Sequence, residues 1–271
     1  IEATNGTVYL AEGGTLDVKG GLLGGDGGTV SITGSQVYHR ATTKVGAING
    51  ADGSLSVTVD ESIVTTDGSV GDPVGDPSSL DLTSAINVTS QIGTNVLHMF
   101  DGDVSIDSSE NVSVIDGFHL NGHDLDINAG SNINLFNEVT GLNDFTLTAA
   151  DTIEFGDSFT DIAGNAAFTA SEIRVNASSP VSIETGGWQT WDGDVVLQET
   201  DLSVTAEWAE FTGTIDSDGP MHASELSIDV DGELRMLGSI GATGALGAID
   251  LSADLITLGG TEINAYGDIL L

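Results

Sequence analysis

Carboxylates dominate the groups in this chain that could do chemistry, and several come in short runs: Asp101-Gly102-Asp103, Asp192-Gly193-Asp194 and Asp216-Ser217-Asp218. Calcium takes about six to eight converging oxygens, and such runs can supply some of them. The same residues have a plainer use. Eight of the 28 aspartates precede glycine (Asp26, Asp52, Asp67, Asp101, Asp116, Asp192, Asp218 and Asp231). Asp-Gly is first a turn signal, because Asp bonds nearby backbone and Gly tolerates positive φ. No nonapeptide Gly-Gly-x-Gly-x-Asp array is present, only the single near match Gly24-Gly25-Asp26-Gly27-Gly28. Turns explain most of these aspartates, and calcium, at Asp101, Asp103, Asp192, Asp194, Asp216 and Asp218, is the one cofactor weighed against that reading.

Two other groupings stand out. His119 and His123 lie four apart in Phe118-His119-Leu120-Asn121-Gly122-His123-Asp124. Across an Asn-Gly turn they need not converge, and no third ligand is identifiable, so solvated turn histidines are expected. Trp188 and Trp191 flank Gln189-Thr190, with Trp208 about one repeat later. Stacked aromatics make a sugar platform or pack between repeats, so Trp188, Trp191 and Trp208 are the candidate carbohydrate contacts.

No catalytic residue is assigned. Lyases acting on acidic polysaccharides use Arg or Lys, and the whole chain has 5. A glycosidase needs two carboxylates roughly 5 to 10 Å apart, which 42 acids could supply anywhere, but no motif marks a pair. The reading is a non-enzyme.

Composition narrows the partners. The 271 residues carry 42 acids against 5 Lys plus Arg, a net charge of −37. Such a chain is repelled by nucleic acid and by anionic membranes, so neither is an expected partner. Its 39% hydrophobic content separates it from disordered acidic tails. The absence of cysteine excludes disulfides and thiolate sites. No apolar run approaches the roughly 20 residues that span a bilayer. Starting at Ile1, the chain reads as a processed product or a piece of something longer.

The elements that must position these residues are strands. Thr29-Val30-Ser31-Ile32, Leu55-Ser56-Val57-Thr58-Val59, Leu80-Asp81-Leu82, Val104-Ser105-Ile106, Leu125-Asp126-Ile127 and Phe145-Thr146-Leu147-Thr148 alternate with period two between Gly, Asp or Asn. No helical period persists beyond a turn. A two-strand unit recurs: Asp144 to Gly156, Ala167 to Val175, Leu202 to Gly213, Leu226 to Met236 and Ile249 to Gly259 share one plan. The spacing of about 20 to 24 residues is that of solenoids.

Each unit leaves an apolar face that stacking buries. At about 4.8 Å per rung, roughly ten to twelve rungs make a rod about 50 Å long. The fold expected is all-β: a single right-handed parallel β-helix over 1–271, right-handed as parallel crossovers almost always are. An antiparallel sandwich is the alternative, but it needs no repeated corner. Residues 67–79, with a doubled Val-Gly-Asp-Pro, read as a surface loop, since Pro cannot donate to a ladder.

The repeat, apolar-x-apolar-x-Ala followed by a second short strand and Gly, resembles the β-helical repeats of filamentous-haemagglutinin-like exoproteins and autotransporter passengers. Phe145 to Gly156, Leu202 to Gly213 and Ile249 to Gly267 carry the resemblance best. It implies a secreted or cell-surface rod with adhesive, biofilm or surface-structure roles inside a larger polypeptide. The chain lacks the Asn-Pro motif that marks the secretion domain of such exoproteins, and it is more acidic than the resemblance implies.

Charge is uneven along the chain. Residues 1–50 hold 4 acids and 3 bases, whereas 51–271 hold 38 acids and only Arg174 and Arg235. A near-neutral end escapes the repulsion that an acidic surface imposes, so it suits docking. With Ile1 at one end and Ile269, Leu270 and Leu271 at the other, end-to-end self-association or contact with neighbouring domains is expected, and open head-to-tail contacts build filaments. Four Asn-x-Ser/Thr sequons, at Asn5, Asn87, Asn111 and Asn176, fit a glycosylated surface protein. The function expected is a structural or adhesive rod, with a carbohydrate-binding or carbohydrate-degrading β-helix as the alternative.

Overall fold

A computed structural model describes residues 1–10, 14–20, 25–39, 41–47, 50–60, 62–65, 90–93, 102–115, 117–218, 224–260 and 262–271. Among these residues there are twenty-five strands and no helix. Every pairing is parallel, and the strands stack as a β-solenoid of about nine turns. Ten positions stack in register along the longest face, the lower bound of the ten to twelve rungs expected. One step of the register, from Leu55 to Val104, consumes 49 residues, a span that includes the proposed 67–79 loop. That loop lies outside the described residues.

Two interior columns of the longest sheet show why these residues fold this way. One runs Ile32, Val57, Ile106, Ile127, Leu147, Phe168, Trp191, Phe211, Met236 and Leu258, each directly in register with the next. The other runs Val30, Leu55, Val104, Leu125, Phe145, Ala166, Gln189, Ala209, Leu234 and Ile256. Period-two alternation sends one residue of each pair inward, and stacking places like on like.

A second sheet carries a similar column of Val112, Ile133, Ile153, Ile173, Val195 and Ile215, extended by the isolated bridges to Ile240 and Ile263. A third closes the cross-section through Val181, Leu202, Leu226, Ile249 and Ile269. The three faces enclose one continuous core.

Where the core column meets a polar residue, the polarity is satisfied. Gln189 is buried; its amide nitrogen donates to the Ile183 and Thr205 carbonyls at 3.0 Å each, and its Oε1 accepts the Trp191 indole N–H at 3.1 Å. Trp191 lies between Phe168 and Phe211, with ring centroids 4.9 and 5.3 Å away. An interior indole needs such a partner, and Gln189 supplies it.

At one corner Gly213, Gly238 and Gly260 follow one another; a Cβ on any of them would run into the carbonyl oxygen of the glycine one rung earlier. That close approach explains glycine at these three positions.

One connection departs from sequence order. Strand Ser90–Gly93 pairs with Thr29–His39 on one side and with Ser62–Thr65 on the other. The chain thus returns to place a later strand between two earlier ones. No local pattern of residues encodes such a step.

Candidate functional site

The outer face of the longest sheet carries a column that changes chemistry along the rod. It begins with Asp103, Asp124, Asp144 and Asn165. Asp103 Oδ1 accepts the Asp124 backbone N–H at 3.2 Å, Asp124 Oδ1 accepts that of Asp144 at 3.0 Å, and Asp144 Oδ1 accepts that of Asn165 at 2.7 Å. Asn165 Oδ1 then accepts the Trp188 N–H at 3.1 Å. Each side chain caps the corner of the next rung, as turn-forming Asp and Asn do.

The column continues with Trp188 and Trp208, in direct register, their rings stacked at 5.7 Å and 22°. Both are half-buried on the outside of the rod. Glu233 and Leu255 follow. The adjacent outward column brings Thr190, Glu210 and Arg235 alongside. Arg235 is ion-paired with Glu210 and lies 3.8 Å from Glu233. The candidate site is therefore an aromatic pair bordered by a guanidinium and two carboxylates.

Trp191 does not belong to it. It is fully buried, because a separation of three residues along a strand puts Trp188 and Trp191 on opposite faces. The sequence-based grouping of all three tryptophans is corrected to Trp188 and Trp208. Arg235, Glu210 and Glu233 were not singled out by sequence; Glu210 shares the outward face of Trp208 two residues on, and the register brings Arg235 and Glu233 beside them.

Of the candidate calcium ligands, Asp192 and Asp194 line one shallow cleft with Thr212 and Gly213. Asp101 lies outside the described residues. Asp192 accepts the Thr212 hydroxyl at 2.7 Å, and Asp194 accepts both the backbone N–H and the hydroxyl of Thr214, at 2.8 and 3.1 Å. Asp216 is almost wholly buried and accepts the Thr243 and Gly244 N–H groups and the Thr243 hydroxyl. Asp218 lines a separate cleft with Asn176, Gln198 and Glu199. Among the described residues, no group of three or more His, Asp or Glu is placed to hold a metal ion.

The histidines engage opposite neighbours. His119 Nδ1 is 2.9 Å from the Thr140 hydroxyl on the next rung, whereas His123 Nδ1 is 3.7 Å from Asp103 on the preceding one. Of the sequons, Asn111 accepts from Asn132 and Asn176 donates to Glu154; Asn87 lies outside the described residues.

A second polar grouping lies beside a cleft of about 600 Å³ lined in part by Thr33, Asp60, Asp107, Asn128 and Thr148. Asn128 Nδ2 donates to both Asp107 and Asp126, at 3.1 and 3.3 Å. Burial first, then the Asp107 charge, raises the pKa of Asp126, and the Asn128 bond works against them. The grouping is a neighbouring pair of carboxylates tied by one amide.

Over the last rung described, the column residues become exposed. Met236 is buried, but Leu258, next in its column, is 42% exposed. Leu255, Tyr266, Ile269, Leu270 and Leu271 are exposed with it. At the other end Ile1 is exposed and its ammonium donates to the Ser31 carbonyl at 2.6 Å.

Comparison with known protein families, with curated proteins and with solved structures finds no match to this chain.

Proposed function

We propose that this chain is a non-catalytic structural rod of a secreted or cell-surface adhesive assembly, with end-to-end stacking as its mode of association. The observation behind this reading is the repetition itself: parallel pairing runs from rung to rung, and the interior columns continue through Leu258 and Ile269 without a change of plan. A strand edge with apolar residues is a template for further pairing, and a solenoid gains stability from each neighbour added. The β-helical repeat is what links this reading to filamentous-haemagglutinin-like surface proteins.

Electron microscopy and sedimentation of the purified chain test it, at low and high salt, with and without calcium. The expected result is fibres once salt screens the charge, and short rods for a Leu258→Glu, Leu270→Glu variant. Isolated rods of the unaltered chain at high salt and high concentration would overturn it.

The Trp188–Trp208 pair supports a second reading, contact with neutral glycans. Aromatic faces take the apolar faces of sugars, while Arg235 and Glu210 offer hydrogen bonds to hydroxyls. A glycan array should then show binding that Trp188→Ala and Trp208→Ala each abolish. Binding indifferent to both changes, or none, leaves the purely structural rod.

A further inference from the structure

We propose that Asn121–Gly122 is a site of spontaneous, charge-adding modification, an inference independent of the rod reading. The backbone nitrogen of Gly122 attacks Cγ of Asn121; the bond from Cγ to the side-chain nitrogen breaks and ammonia leaves. Water then opens the resulting succinimide at one of its two carbonyls, giving aspartate or isoaspartate. Only water is consumed, and no oxidation change occurs.

The structure sets this dipeptide apart in three ways. First, it is out of the ladder: His119 pairs with Thr140 and His123 with Leu142, so residues 120–122 face the single residue Gly141 across a bulge. Second, its backbone is in the left-handed region, with φ of 54° at Asn121 and 87° at Gly122. Asn121 is exposed, and nothing lies within 4 Å of where a Cβ on Gly122 would stand. The attacking nitrogen therefore has open surroundings. Third, the other asparagines of this region are held. Asn128, Asn132, Asn143 and Asn165 each donate their amide to an acceptor one rung back. None of these four precedes glycine.

The bulge also accommodates the product. Isoaspartate lengthens the backbone by one methylene, which would slip the register of a paired strand. A bulge already carries unpaired residues, so the rod keeps its register on either side. The new carboxylate stands two residues from His123 and three from Asp124.

The folded chain is incubated in warm, mildly alkaline buffer, digested and mapped by mass spectrometry, beside the same chain in denaturant and an Asn121→Gln variant. The expected result is a gain of about 1 Da at Asn121 in the folded chain, ahead of Asn128, Asn132, Asn143 and Asn165. Asn5–Gly6 and Asn49–Gly50 are the other Asn-Gly dipeptides of the chain, so anion exchange should resolve less acidic material from the variant than from the unaltered chain, and peptide mapping assigns the difference to Asn121. Circular dichroism of the aged chain should match that of the fresh one. If Asn121 converts in denaturant but stays unchanged in the folded chain, the fold protects it and the proposal is wrong.

Discussion

His39 shows how one buried group ties this fold to pH. It is fully buried, its Nε2 lies 2.9 Å from the Thr43 hydroxyl, and burial pushes its pKa down to about 4, against a backbone hydrogen bond that raises it. In the unfolded chain the imidazole titrates near its ordinary value of 6.5. Between these values the unfolded state binds a proton that the folded state refuses, so stability falls as pH drops from about 6.5 to about 4. The loss is of order 3 kcal/mol across that window. Denaturant midpoints taken through it should fall more steeply for the unaltered chain than for a His39→Gln variant. Parallel slopes would mean that His39 is not buried in its neutral form. The comparison with the variant is needed because 42 acids also begin to titrate toward the acid end.

Strands and their repetition were legible because the interior alternates so strictly. Phe145-Thr146-Leu147-Thr148 has Phe145 and Leu147 buried and stacks on Ala166 and Phe168, as period two requires. What sequence missed depends on register between rungs. The two interior columns step by 20 to 25 residues from Val104 onward, so no fixed offset places Arg235 beside Glu210. Parity alone, by contrast, was enough to separate Trp188 from Trp191, and a stricter reading of the strand would have done so. The corner aspartates Asp103, Asp124 and Asp144 precede apolar strand residues rather than glycine, so the Asp-Gly turn signal did not mark them, nor their reach to the next rung. Asp144 looks like any other carboxylate until Asn165 is stacked on it. The strand Ser90–Gly93 was invisible for a deeper reason: it pairs out of sequence order, and hydrophobic periodicity carries no information about order.

For the molecule as a whole, the question is how a rod of net charge −37 stays folded. Its carboxylates stand in columns, at roughly the 4.8 Å separation of neighbouring strands. Like charges directly opposite each other destabilise a sheet, and here Asp103, Asp124 and Asp144 follow on consecutive rungs. Each is retained by the backbone N–H groups it caps, so the column trades repulsion for corner hydrogen bonds. Asn165 performs the same capping without charge. At physiological ionic strength the screening length is about 8 Å, longer than the rung spacing, whereas at about 1 M salt it is about 3 Å, shorter than it. Thermal midpoints should therefore rise with sodium chloride well beyond the physiological range. An Asp124→Asn, Asp144→Asn variant should be the more stable at low salt and show a shallower rise, since an asparagine keeps the accepting oxygen and removes the charge. Sodium sulfate and sodium chloride compared at equal ionic strength separate screening from general strengthening of apolar burial. A variant that loses stability at low salt would show that the charge itself strengthens the corner bonds by more than the column repels, as charge-assisted hydrogen bonds can.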